Sequence, residues 1–192
     1  MLKSSSTPKI PTRMARYSAV AQSLHWVTVV VIFTILPLAW VMVHMAKEAP
    51  NRDLYFTAHK SFGLIALALI VARLVWRAVR PPPSLPPWVE KWEIGLAHAT
   101  HFFLYTIFII MPVSGFILSS AGGHPVSFFG LFNLPQMAKN TDLSKIADRV
   151  HIYGQYAVYV FLAAHILGVI WHVAYRRDGY LQRMLPEQVN AE

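Results

Sequence analysis

The sequence predicts an all-α integral membrane protein, a bundle of four transmembrane helices with both termini cytoplasmic. Three observations carry this prediction. Of the 192 residues, 55% are hydrophobic and only 14% charged, against roughly 45–50% and about 25% in soluble domains. The apolar residues are also bunched: the 30 residues between Arg16 and Lys47 and the 26 between Arg149 and Arg176 contain no Asp, Glu, Lys or Arg, and a helix needs only about 20 to cross a bilayer. Finally, the net charge of +8, from 17 Lys and Arg against 9 Asp and Glu, is distributed as membrane topology requires. Lipid is therefore the expected surrounding, and nucleic acid is not an expected partner.

Residues 1–16 carry Lys3, Lys9, Arg13 and Arg16 with no acid, in Ser/Pro-rich surroundings, and read as a disordered basic cytoplasmic tail. The transmembrane domain then occupies 17–186. Its first span, about 23–43, is longer than the roughly 7–15 apolar residues of a signal peptide and has no small-residue cleavage site, so it is read as retained. The second, about 58–79, is interrupted by Arg73 and Arg77 in its last turns and reaches spanning length if arginines snorkel. Pro81-Pro82-Pro83-Ser84-Leu85-Pro86-Pro87 cannot be helical and makes a stiff connection. The third and fourth spans, about 95–118 and 150–175, follow, with 187–192 as a C-terminal tail. Pro37 and Pro112 are expected to bend spans one and three.

Between the last two spans, Asp142 to Arg149 reads as a short helix lying at the membrane interface. Four spans put both termini on one side, and that side collects 11 basic residues against six (Lys47, Arg52, Lys60, Lys139, Lys145 and Arg149) on the other. The positive-inside rule makes the richer side cytoplasmic.

Chemistry must rest on histidine. No cysteine is present, which removes disulfides, iron–sulfur clusters, thiolate nucleophiles and C-x-x-C-H haem attachment. Nine histidines remain, several inside spans where an ionisable group marks a functional position. His151 and His165 are 14 residues apart on span four. At 3.6 residues per turn they lie within ~40° of one face and roughly 21 Å apart along the axis.

Depth pairs His165 with His25 at the cytoplasmic start of span one, and His151 with His59 at the outer start of span two. Two imidazoles facing each other across a bundle suit a macrocycle with six-coordinate iron. Without cysteine, that means two b haems held by ligation and packing alone. Gly63, Gly154 and Gly168 offer clearance for a porphyrin, with ordinary helix packing as their alternative. For the histidines, the alternative is polar glue between helices. The spans one, three and four contain no Asp or Glu, so a di-iron carboxylate site cannot be built.

His172, seven residues after His165, competes as a ligand or neighbours the cytoplasmic haem or a quinone. His98 and His101 share a face of span three at its cytoplasmic end and are candidates to donate hydrogen bonds or protons there. Arg73, 14 residues after His59, reaches the cytoplasmic level on the haem-facing side, as a guanidinium for a propionate or a quinone oxygen. His44 is expected to be interfacial, and His124 lies in the outer connection.

Taken together, Ser23-Leu24-His25-Trp26, His59-Lys60-Ser61-Phe62-Gly63 followed by Arg73 and Arg77, Gly95-Leu96-Ala97-His98-Ala99-Thr100-His101, Gly123-His124-Pro125-Val126-Ser127-Phe128-Phe129-Gly130, and the His151/His165 register resemble the bacterial cytochrome b561 family. That family shares its four-helix di-haem plan with the cytochrome b subunits of nickel–iron hydrogenases and formate dehydrogenases. The resemblance covers about residues 14 to 186. It implies an inner-membrane location, two b haems on ligands matching His25, His59, His151 and His165, and electron exchange with the quinone pool. Superoxide oxidation is an activity assigned within the family.

Three functions follow as expectations. The first is an oxidoreductase passing electrons from a periplasmic-side donor, superoxide among the candidates, through both haems to quinone near Arg73, His98, His101 and His172. Steering of an anionic donor would be modest, because Glu48, Asp53, Asp142 and Asp148 offset the six outer bases. The second is a haem-bearing anchor and relay subunit of a larger dehydrogenase. The third is a haem-free transporter using histidine relays.

Overall fold

Four long helices cross the molecule from end to end. The computed structural model describes residues 14–187: α1 (Ala19–His44), α2 (Arg52–Val79), α3 (Lys91–Ala121), a hairpin of β1 (Ser127–Phe128) and β2 (Phe132–Asn133), and α4 (Thr141–Ile170). α4 runs on into a π-helical turn, Trp171–Arg176, and a 3₁₀ turn follows at Tyr180–Met184. The basic tail lies outside the described residues as far as residue 13, as do residues 188–192 of the C-terminal tail. Among the described residues four helices are long and apolar enough to cross a membrane, so the expected membrane bundle is the fold observed.

The helix starts follow from capping. Ser18 Oγ accepts from the Ala21 N–H, and Asn140 Oδ1 from that of Leu143. At α3, Glu90 and Glu93 cap each other reciprocally, which satisfies two otherwise orphaned donors. Within the apolar segments, the hydroxyls of Thr28, Thr34 and Ser61 donate back to the carbonyls four residues earlier. This keeps them satisfied in hydrocarbon. Large apolar side chains point outward: Phe33, Phe102, Val160 and Leu167 are all more than half exposed. In water this would be an aggregation hazard; in a bilayer it is the lipid face.

α3 packs along α4, α1 along α2, and α2 against α3, whereas neither α1 nor α2 packs extensively against α4. The small core between α1 and α2 is Val31, Ile32 and Ala66. The seam left open on α4 is where the histidines lie.

Two expectations need correction. Asp142–Arg149 is not a separate interfacial helix: it forms the first turns of α4. Nothing breaks the chain between Arg149 and Val150, Ala147 is buried, and Ser144 Oγ donates to Leu118 O, which binds this stretch to the end of α3. The last residues of the basic tail are also not loose. Arg16 donates to the carbonyls of Leu185 and Pro186, and Tyr17 N–H to Arg183 O.

Residues 15–17 and 183–186 thus meet at one face, here the terminal face; the hairpin and the 45–51 turn make the opposite, loop face. Arg183 holds the terminal face together. It is 1% exposed and donates to the carbonyls of Ala15, Pro83 and Ser84, while its guanidinium lies over the Tyr17 and Tyr180 rings. Replacing it with Met should cost about 3 kcal/mol, because three part-buried carbonyls lose a charged donor. Thermal unfolding in detergent checks this, with Ala15 and the Pro83-Ser84 connection becoming accessible to protease.

At the loop face, Ser61 is fully buried and accepts from the Phe129 N–H at 2.8 Å, and Lys60 Nζ donates to Pro125 O. The Phe62 and Phe129 rings meet edge to face at 5.3 Å. Together these fold the hairpin onto α2.

Candidate functional site

Four histidines meet in two pairs along the open seam of α4. His25 on α1 faces His165 on α4 with ring centroids 6.2 Å apart and planes inclined at 65°. His59 on α2 faces His151 on α4, also at 6.2 Å, with planes at 86°. The 14-residue spacing on α4 makes this possible, because it returns both rings to one side of the helix.

The spacing tests what each pair can hold. A metal–nitrogen bond is about 2 Å long and an imidazole centroid lies about 1.15 Å behind its nitrogen, so two trans imidazoles on one metal have centroids about 6.3 Å apart. Both pairs fit. A bare ion does not, since among the described residues no three His, Asp or Glu side chains converge on one point. A macrocycle supplies the four remaining donors itself, and the lack of extensive packing between α1 or α2 and α4 leaves the side on which it would lie. The Nδ1 atom of His59 is also buried without a hydrogen-bond partner among the described residues. A buried unsatisfied nitrogen costs roughly 1–3 kcal/mol, so a bound group that rearranges this imidazole's contacts would relieve it.

Two cavities surround the pairs. One of about 170 Å³ is lined by His59, His151, Gly63, Gly115 and Met111; the other, of about 60 Å³, by His25, His165, Arg73, His101 and Tyr105. Ile32 and Phe108 line both and form the partition.

His151 is the most firmly oriented of the four. Its Nδ1 lies 2.9 Å from Met111 O and 3.2 Å from Ser114 Oγ. Donation to the carbonyl fixes the Nδ1–H tautomer and frees the Nε2 lone pair for a metal. Gly115 makes room: a Cβ there would stand 2.9 Å from His151 Cε1. The sequence reading missed Gly115, Ser114 and Met111, although two small residues inside an apolar span were a visible signal. Gly63 and Gly168 face open space, but a Cβ on Gly154 would meet Met111 Sδ at 2.7 Å. Gly154 therefore serves packing against α3, not clearance for a porphyrin.

At the other pair, Arg73 Nη2 lies 3.1 Å from His25 Nδ1. A guanidinium only donates, so this contact makes Nδ1 the bare nitrogen and puts the proton of a neutral ring on Nε2. Ligation through Nε2 thus requires Arg73 to release His25 and turn to another acceptor. His101 stands 5.2 Å from His165 and donates Nδ1–H to Ala97 O. Its separation from His165 is too short for a trans pair on one metal.

The remaining candidates are spread over the terminal face. His98 is exposed. His172 is outside both cavities and is engaged with Asp178, its Nδ1 2.7 Å from Oδ2. Tyr180 stacks on its ring at 4.6 Å, and burial pushes that phenol upward, so it stays neutral. Beside them Glu93 accepts from Trp171 Nε1 at 2.8 Å and lies 3.8 Å from Arg176. Asp178 and Glu93 were not foreseen, since nothing local in the sequence brings them to His172. His44 and His124 are exposed on the loop side.

Known proteins are similar to this chain over most of its length. The family model described as prokaryotic cytochrome b561 matches residues 16–187. Cytochrome b561 homolog 2 of Escherichia coli (strain K12) is 28% identical over 177 residues, covering 88% of this chain and 91% of the relative. A probable superoxide oxidase, CybB, of Yersinia pestis is 25% identical over 175 residues, covering 90% and 97%.

Proposed function

The chain belongs to the prokaryotic cytochrome b561 family, a membrane haem b electron-transfer family, and from that premise we propose that it carries electrons across the bacterial inner membrane through two b haems to quinone. The observation that carries the proposal is the repeated 6.2 Å pairing of His25 with His165 and His59 with His151. Each pair would hold one haem iron. The haem supplies one-electron chemistry when bound; the protein's own residues orient it and set what reaches it.

His151, locked by Met111 O, would present Nε2 at the loop-face site. At the terminal-face site, Arg73 would leave His25 for a propionate, a bidentate acceptor that suits a guanidinium. Ile32 and Phe108 stand between the two sites and exclude water from the path.

Orientation follows from charge. With 11 basic residues on the terminal side, that face is cytoplasmic and the hairpin face periplasmic. The donor would then approach near His59 and His151. Superoxide is one candidate, supported by the relative named a probable superoxide oxidase. The quinone would be reduced at the cytoplasmic end, where Arg73 and His101 line one cavity and His172 and the exposed His98 lie outside it on the same face.

Stopped-flow haem absorbance tests this reading. A soluble quinone analogue should reoxidise the reduced parent, and the double substitution Arg73→Ala with His172→Ala should retain both haems yet slow that reoxidation on the order of 100-fold. Reduction by a periplasmic-side donor should be nearly unchanged. Equal reoxidation in both proteins would move the quinone elsewhere.

A further inference from the structure

The chain reverses direction sharply just after α4. The π-helical turn Trp171–Arg176 is followed by Arg177 and Gly179 in left-handed conformation, with φ of 49° and 73°. Asp178 is six residues after His172, a separation that would put the two about 240° round a regular helix and so on different faces. The π turn and the reversal instead bring Asp178 Oδ2 to 2.7 Å from His172 Nδ1. π-turns inside helices are frequent at functional sites.

The pair is built rather than incidental. The side chains are 14% and 8% exposed. Asp178 Oδ1 accepts from the Tyr180 N–H at 3.0 Å, so both carboxylate oxygens are committed. Tyr180 lies parallel to the imidazole, at 20°, and fixes its plane. The charged groups around His172 are Asp178 and, from its own turn, Arg176, whose Nε lies 3.9 Å from Asp178 and 3.8 Å from Glu93 of α3. Arg183 reaches this group only across the Tyr180 ring. Among the described residues, His172 Nε2 has no hydrogen-bond partner. A carboxylate on Nδ1–H fixes the ring's tautomer and leaves Nε2 as the working nitrogen, the arrangement of a general acid–base.

We propose that His172, held by Asp178, is the proton donor of the quinone site; this rests on the quinone reading above. A quinone becomes quinol by taking two electrons and two protons, each C=O turning into C–O–H. The electrons come singly from the periplasmic-side donor by way of the terminal-face site. His172 Nε2 takes up a proton from cytoplasmic water, making the ring an imidazolium, and passes it to one quinone oxygen; the second proton comes directly from that water. Asp178 touches no substrate and acts as a positioning residue.

The test compares Asp178→Ala, Asp178→Glu and His172→Gln in the full-length haem-loaded protein. Reoxidation of reduced haem is followed with a soluble benzoquinone and with ferricyanide, which takes an electron and no proton. Asp178→Ala should lower the maximal benzoquinone rate at least 10-fold with little change in half-saturating concentration, and leave the ferricyanide rate unchanged. Asp178→Glu should recover most of the loss, and His172→Gln should behave like Asp178→Ala. If Asp178→Ala does not hold haem, His172→Gln against the parent decides alone. Benzoquinone rates equal to the parent's, or equal losses with both oxidants, overturn the proposal. A parent that benzoquinone does not oxidise while ferricyanide does overturns the quinone reading itself, and with it this one.

Discussion

His151→Ala should remove one haem and spare the other. The substitution deletes a ring at the loop-face pair only, and its partner His59 cannot hold six-coordinate iron alone. Redox titration of the purified variant should show a single component in place of two, with haem content halved. His59→Ala should do the same, and His25→Ala or His165→Ala should remove the terminal-face haem instead. Electron transfer from the periplasmic-side donor to quinone should stop in all four, since each breaks a series path. The discriminating variant is His172→Ala, which should keep both haems because its ring is bound to Asp178 and lies outside both cavities. Loss of the terminal-face haem from His172→Ala but not from His165→Ala would show that the register on α4 is misassigned.

A second large effect is expected where no ligand is touched. Gly115→Leu places a Cβ 2.9 Å from His151 Cε1, closer than such atoms approach, with further carbons beyond it. The imidazole must tilt away, breaking its alignment with Met111 O and with the iron it would hold. Loss of a group that orients a ligand typically costs 10–100-fold in metal affinity, and a direct clash should do at least as much. Haem titration of the apo-protein, watching the loop-face component, checks this. Ser114→Ala is the mild counterpart, since Met111 O still holds the ring.

How much of this could be read from the chain depends on whether a feature is local. Spans were legible because lipid demands long apolar helices, and the pairing of His25 with His165 and His59 with His151 was legible because depth and a 14-residue register are properties of single helices. The beginning of α4 at Thr141 was missed, because charges at Asp142, Lys145, Asp148 and Arg149 look like a boundary, whereas the helix simply continues through them. Asp178 was invisible for a different reason. It reaches His172 only through a π turn and the left-handed Arg177, and no spacing rule anticipates those. The contact of Gly115 with His151 likewise depends on how α3 and α4 are rotated against each other. The hairpin on Ser61 is the same kind of case, since one buried hydroxyl joins residues from distant parts of the chain.

The most direct measurement is haem stoichiometry. Acid-acetone extraction of the purified protein followed by a pyridine haemochrome assay, set against protein concentration, should give two b haems per chain, all of it extractable because no cysteine is available for attachment. The oxidised protein should be low-spin, as two axial imidazoles on each iron require. One haem per chain, none, or haem that remains with the polypeptide would contradict the paired-histidine site.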